Sequence, residues 1–225
     1  MDVIKTGIPG LDELFEKKGF QKNTSILLSG EPGAGKTIFA IQFLYNGAKK
    51  FKEPGIFISI EQPASKIRDI ARSLNMDLSS LENKGLVTVI EEPVVRRGVL
   101  DPKVIRMQIE KSEAKRIVLD SLTLFKYIST DTRDYRIKVL EFIGEVLSHD
   151  TTLLITSERL STDFDNLSFQ PEDFLFDGLI LLGRMRRAIS FERVLNIVKM
   201  RGTKHSEDIY PIEITQNGLI VKPIE

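Results

Sequence analysis

The octapeptide GEPGAGKT at residues 30–37 constrains this chain more than any other stretch in it. It fits G-x-x-x-x-G-K-[ST], with Gly30, Gly35, Lys36 and Thr37 at the defining positions. An apolar run, SILLSG at 25–30, leads into it, and KTIFAIQFLYNGAKK at 36–50 continues from it with apolar residues almost all round. Strand, glycine-rich turn and helix form the setting in which such a loop holds a polyphosphate. The glycines let the backbone curl so that successive N–H groups point at phosphate oxygens, and the helix N-terminus adds its dipole. Gly30, Glu31, Pro32, Gly33, Ala34, Gly35, Lys36, Thr37 and Ile38 are therefore expected around the phosphates of ATP, the amides from Gly33 to Thr37 serving as donors. Lys36 should reach the β- and γ-phosphates, and the Thr37 hydroxyl should ligate Mg²⁺.

The rest of the chain supplies the frame that such a loop needs. Strand-like runs GIFISI (55–60), LVTVI (86–90), RIVLD (116–120) and TTLLIT (151–156) alternate with helical patterns at 36–50, 64–74, 101–114 and 134–149. Asp101 followed by Pro102 marks the third helix start. Alternation of this kind predicts an α/β fold with a mostly parallel twisted sheet covered by helices on both faces. After residue 177 the pieces DGLILLGRM, ISFERVLNIVKM, DIYPIEIT and GLIVK have only turns between them, so the sheet is expected to finish in antiparallel strands. No repeat or linker interrupts residues 1–225, which predicts one domain. Phe43, Leu44 and Tyr45 read as core.

Composition removes several alternatives. Lys+Arg and Asp+Glu are 32 each, so no basic excess argues for nucleic acid or a membrane surface. There is no cysteine, which excludes disulfides and thiolate metal sites, and only His149 and His205 are present. The start lacks a basic then apolar leader, and the longest apolar runs are far too short to span a bilayer. A cytoplasmic protein is expected.

Hydrolysis at a phosphate loop needs a second metal-side carboxylate and a group to activate water. RIVLD delivers Asp120 at the end of an apolar strand, the form of a Walker B segment. FISIEQP (57–63) places Glu61 just past a strand end, where open α/β sheets bind ligands, although a polar strand terminus reads the same way. A third feature is NIVKMRGTKH at 196–205. Side chains two apart in a strand point the same way, so Lys199 and Arg201 should emerge together. Gly202 then ends the strand and lets Thr203, Lys204 and His205 fold back. Local reasoning leaves a solvated cationic strand end as open as an anion contact.

Taken in order, TGIPGLDELF (6–15), SGEPGAGKTIFAIQFLYNGA (29–48), FISIEQ (57–62), IVLDSLT (117–123), LLITSE (153–158) and VLNIVKMRGTKHSEDIYPIEIT (194–215) resemble the KaiC-like branch of the RecA/RadA ATPases. The resemblance spans nearly the whole chain and is that of a single-domain archaeal-type member. It implies a RecA-like core that assembles into rings, usually hexamers, with ATP between subunits. It implies that Glu61 activates water, that Lys199 and Arg201 reach the γ-phosphate on the neighbouring subunit, and that His205 touches that nucleotide. Thr156, Ser157 and Glu158 resemble the polar sensor region. One departure is Gln62, where the family often has a second glutamate. Another is PEDFLFDG (171–178), which lacks a hydroxyl where some members phosphorylate themselves, so autokinase activity there is not expected.

Two other readings compete. A RadA/RecA-like DNA-dependent ATPase would hold DNA with the loop at 161–177, but that loop has Asp163, Asp165, Glu172, Asp173 and Asp177 and no Lys or Arg. Arg184, Arg186, Arg187 and Arg193 form a basic cluster that a hairpin face or a subunit contact explains equally well. A nucleotide-binding scaffold with little turnover is the other alternative.

Overall fold

The short apolar runs with no polar face form strands covered on both sides, and that decides the architecture. The computed structural model describes residues 3–91, 102–160, 162–187 and 189–224. The predicted helix-start residue Asp101 and the first residue of the acidic loop, Ser161, lie outside them. A nine-stranded sheet has the order β11-β10-β9-β8-β3-β7-β6-β4-β5. Its parallel part comprises β3 (Ser25–Gly30), β4 (Gly55–Ser59), β5 (Val87–Glu91), β6 (Arg116–Asp120), β7 (Thr152–Glu158) and β8 (Gly178–Arg187). β9 (Ser190–Met200), β10 (Ile209–Thr215) and β11 (Gly218–Val221) follow in antiparallel pairing. The sheet thus finishes in antiparallel strands, as expected, from the β8–β9 hairpin onward. The segment between β7 and β8 crosses back to the free edge of β3, so β8 runs parallel to β3 and only the β8–β9 hairpin reverses the chain. A small second sheet pairs β1 (Val3–Ile4) with β2 (Phe20–Gln21).

Period-two alternation sorts the strand residues onto two cores. Ile26, Leu28, Phe57, Val118 and Leu154 pack with α1 (Lys36–Asn46), α2 (Ala64–Ser73) and α3 (Leu78–Asn83). Leu27, Ile56, Ile58, Ile117, Leu119, Leu153 and Ile155 pack with α4 (Pro102–Ser112), α5 (Thr123–Ile128) and α6 (Thr132–Leu147). Phe43, Leu44 and Tyr45 are buried in the first core. α1 continues through one π-helical turn, Gly47–Phe51. Short α3 and α5 carry too few periodic residues for a sequence pattern to reveal them.

One buried charge holds the lower end of this frame. Arg116 is fully buried, and its guanidinium donates to Glu53, to the Phe43 carbonyl at 2.9 Å and to the Lys5 carbonyl at 2.7 Å. It also lies 4.5 Å over the Phe43 ring. A Cβ on Gly47 would sit 2.3 Å from its Nε, so glycine is required there by close approach. Removing one partner of a buried pair leaves a stranded charge, which costs about 3–5 kcal/mol. Glu53→Ala should therefore lower the urea midpoint and reduce Tm by roughly 10 °C.

Candidate functional site

The phosphate loop lies at the C-terminal end of β3, between that strand and α1. Gly33 and Gly35 take φ of +75° and +109°, the left-handed region that a curled loop needs. Gly30 is fixed differently: a Cβ there would stand 2.1 Å from the Leu182 carbonyl oxygen on β8. Lys36, 8% exposed, donates to the carbonyls of Gly30 and Glu31 at 2.9 Å each. Burial pushes its ammonium below the ordinary lysine value, while the carboxylates of Glu158, Asp120, Glu61 and Glu31 oppose that shift. The ammonium thus rests on neutral carbonyls inside a ring of carboxylates, a position from which it can move to an incoming anion.

The end of β6 brings Asp120 to the start of α1. Thr37 Oγ1 donates to Asp120 Oδ2 at 2.8 Å, and Thr156 on β7 donates to Oδ1. Burial raises the Asp120 carboxyl above its ordinary value; the Thr156 and Thr37 hydrogen bonds hold it down. Glu61, exposed just past β4, accepts from Ser121 Oγ at 2.8 Å, and Ser121 Oγ lies 2.7 Å from Thr123 Oγ1. Three adjacent strands, β4, β6 and β7, therefore present Glu61, Asp120 and Thr156 at the strand ends facing the loop. A cavity of about 580 Å³ opens between these groups, lined by Gly33, Gly35, Lys36, Thr37, Glu61 and Asp120 among others. That volume is ordinary for a nucleotide-sized ligand. Pro32, Ile38 and Gln62 also line it, and the Gln62 carboxamide oxygen is buried without a partner among the described residues.

Some expected residues take supporting places instead. Gly30 and Glu31 offer backbone carbonyls to Lys36, the Glu31 carboxylate accepts from the Thr162 amide at 2.8 Å, and Ala34 is buried. Of the sensor-like trio, Thr156 binds Asp120 and Glu158 lines the cavity, whereas Ser157 is buried. Sequence reasoning missed Ser121, Arg193 and Ile214, which line the cavity as well. Arg193 and its cross-strand partner Arg184 reach the Gly33 carbonyl at 3.4 and 3.2 Å. Their shared direction was readable only with the hairpin register in hand.

Lys199, Arg201 and His205 are not brought to this cavity. Gly30 pairs with Leu182 on β8, whereas Met200 pairs with Gly178, level with Ile26. Four residue steps separate the two levels, roughly 13 Å along the strands, with two strand spacings across. Arg201 is exposed at the far end and pairs with Asp177, side chain to side chain at 3.4 Å and amide to carbonyl at 3.0 Å. Lys199 is half-buried beside it; burial, then the Arg201 charge, lowers its pKa. Gly202, at φ +75°, turns the chain onto the N-terminal segment: Glu16 donates to the Lys204 carbonyl, and His205 bridges Phe15. The acidic loop also changes character. Glu172 and Asp173 are buried and Asp177 is paired, which leaves Asp163 and Asp165 as its exposed acids.

Among the described residues, no group of three or more His, Asp or Glu could hold a metal ion, and no helix is long and apolar enough to cross a membrane.

The sequence profile of the KaiC ATPase family matches residues 4–225. The chain belongs to this family. It is 30% identical over 230 residues to the circadian clock oscillator protein KaiC of Synechococcus elongatus, covering 98% of this chain but 44% of that protein. The chain thus spans about half the length of the KaiC proteins it matches. A UPF0273 protein of Methanocaldococcus jannaschii is 32% identical over 241 residues, covering 99% of this chain and 97% of that one. The crystal structure of a KaiC-like protein from Pyrococcus horikoshii OT3 superposes with a TM-score of 0.87 at 34% identity, covering 98% and 99% of the two chains. The cavity thus lies in a chain of the KaiC ATPase family.

Proposed function

We propose that residues 1–225 form one cytoplasmic ATPase domain that binds ATP and Mg²⁺ at this loop and hydrolyses ATP within a homo-oligomeric ring, with a regulatory or signalling rather than a recombination role. The Thr37–Asp120 contact at 2.8 Å carries the reading, since it sets a hydroxyl and a carboxylate side by side beside the Lys36 ammonium. Two hard oxygen donors fit Mg²⁺, which keeps several waters and takes further ligands from substrate phosphates. The ion would neutralise charge on the β- and γ-phosphate oxygens. Gly33 to Thr37 would hold the phosphates through their amides, and Lys36 would leave its carbonyls for the γ-phosphate side. Glu61 would orient and deprotonate the attacking water, with Ser121 fixing its carboxylate. Lys199 and Arg201 would supply charge to the γ-phosphate of the next subunit in a hexamer, with His205 near that nucleotide. Their position at the opposite end of the sheet from their own loop supports this assignment. No cation from the 161–177 loop is available for DNA phosphates, which favours this reading over a recombinase.

Mg²⁺-dependent release of phosphate from ATP by the purified protein is the test. Asp120→Asn should weaken the Mg²⁺ dependence of ATP binding by about 10–100-fold. An unchanged Mg²⁺ titration would remove Asp120 from the metal side, and absence of turnover in the intact oligomer would favour a scaffold.

A further inference from the structure

We propose that the cleft between the start of α6 and the 3-10 turn Pro171–Phe174 is a binding site for a primary ammonium group, carried by a small alkylamine or by a lysine side chain. The cleft has a volume of about 330 Å³ and shares no lining residue with the nucleotide cavity. Two hydroxyls in its lining are buried without any partner among the described residues: the Tyr135 phenol, on a residue 6% exposed, and Ser129 Oγ. A buried hydroxyl left unpaired is costly, so both oxygens would gain from a donor placed in the cleft. The third polar group is Glu172, 3% exposed, whose carboxylate has an ion pair with Lys126 at 3.1 Å. Lys126 is half-exposed, and an incoming ammonium would displace it from Glu172.

Three features select the ligand. The lining carries one cation, Lys126, against two carboxylates, Glu172 and Asp131, so its charge is negative. Asp131 is already engaged in capping α6 through the amides of Arg133 and Asp134, which leaves Glu172 to face the ligand. Nearby, Asp134 and Lys138 neutralise one another at 2.7 Å, and Asp173 pairs with Arg159 through Oδ2 while its Oδ1 has no partner among the described residues. Burial raises the Tyr135 phenol to well above its ordinary value, and the Glu172 and Asp173 carboxylates add to the shift, so the surroundings disfavour another anion. A metal ion lacks donors, since no cluster of three suitable groups exists among the described residues. Three oxygen acceptors, on Tyr135, Ser129 and Glu172, match the three N–H donors of a primary ammonium. Phe169 and Phe174, on either side of the Gln170–Asp173 segment, are exposed and meet ring to ring at 5.9 Å, an apolar shoulder for an alkyl stem.

Propylamine hydrochloride titrated into the nucleotide-free full chain, followed by backbone amide NMR, tests the site against tetramethylammonium chloride at equal ionic strength. Saturable shifts confined to residues 126–135 and 170–173 are expected with propylammonium alone, because tetramethylammonium has charge but no donor. Glu172→Gln should weaken binding roughly ten- to hundredfold, as loss of a charge-assisted contact does. Tyr135→Phe should weaken it several-fold, with thermal melts confirming that each variant folds. Ser129→Ala, at a partly exposed position, provides an independent variant should either of the others unfold. Tighter binding of Nα-acetyl-lysine methylamide than of propylamine would identify a lysine side chain as the source; equal or weaker binding would identify a free amine. Unsaturable shifts, or the same response to tetramethylammonium, would overturn the proposal and leave water as the partner of both hydroxyls.

Discussion

Replacing Glu61 with Gln is expected to slow ATP hydrolysis by roughly 10²–10⁴-fold, the usual worth of a positioned general base, while ATP binding stays within a few-fold of the native protein. The substitution keeps the shape and can keep the Ser121 contact at 2.8 Å, because an amide oxygen accepts as a carboxylate does. It removes only the capacity to take a proton. Glu61 is exposed just past the end of β4, whereas Lys36 is buried and Asp120 half-buried in the cavity lining. Binding and chemistry should therefore separate cleanly in single-turnover measurements, with bound ATP accumulating in Glu61→Gln. Hydrolysis at the native rate would exclude Glu61 as the base. Gln62 cannot substitute for it: its side chain is neutral, and its backbone carbonyl is tied to Ser59 Oγ at 2.6 Å.

What could be read from the sequence follows from how local each signal is. The loop 30–37 was legible because its constraints, the glycines, the lysine and the flanking strand and helix, lie within one stretch of chain. Asp120 and Glu61 were legible as strand ends, and parallel pairing of β4 with β6 then necessarily puts Ser59 beside Asp120. Arg116 was not legible, since a fully buried arginine at the start of an apolar strand looks like any polar strand boundary. Its partners Lys5, Phe43 and Glu53 are distant in sequence. Arg193 was hidden for a related reason: a run of arginines in a hairpin gives no direction until the register pairs Arg193 with Arg184 over Gly33. The parallel pairing of β8 with β3 was not legible, because a short apolar run carries no sign of its direction. Only the crossover from β7 over β3 fixes it.

Arg201→Ala is expected to reduce turnover by roughly 10³–10⁵-fold, the range measured for arginine fingers, with the mass of the oligomer unchanged. Its ion pair with Asp177 is largely exposed, at 63% for the arginine side chain, so its contribution to stability should be no more than about 1 kcal/mol. Loss of activity would then not be loss of fold. The separation of Arg201 from its own loop makes a sharper test possible. Lys36→Ala subunits keep the cationic strand end but lose the phosphate site, and Arg201→Ala subunits do the reverse. Where one of each meets in a mixed ring, an intact phosphate loop can face an intact arginine. The mixture should hydrolyse ATP faster than either variant alone, with a maximum near equal proportions. Asp177 supports the geometry from below: its Oδ2 is fixed by the Ser25 amide and hydroxyl at 3.0 and 2.9 Å, which leaves Oδ1 to orient the guanidinium outward. If the mixture showed only the sum of its inactive parts while exchanging subunits freely, Arg201 would act within its own subunit, and the ring would not complete the active site. Native turnover by Arg201→Ala alone would end the assignment outright.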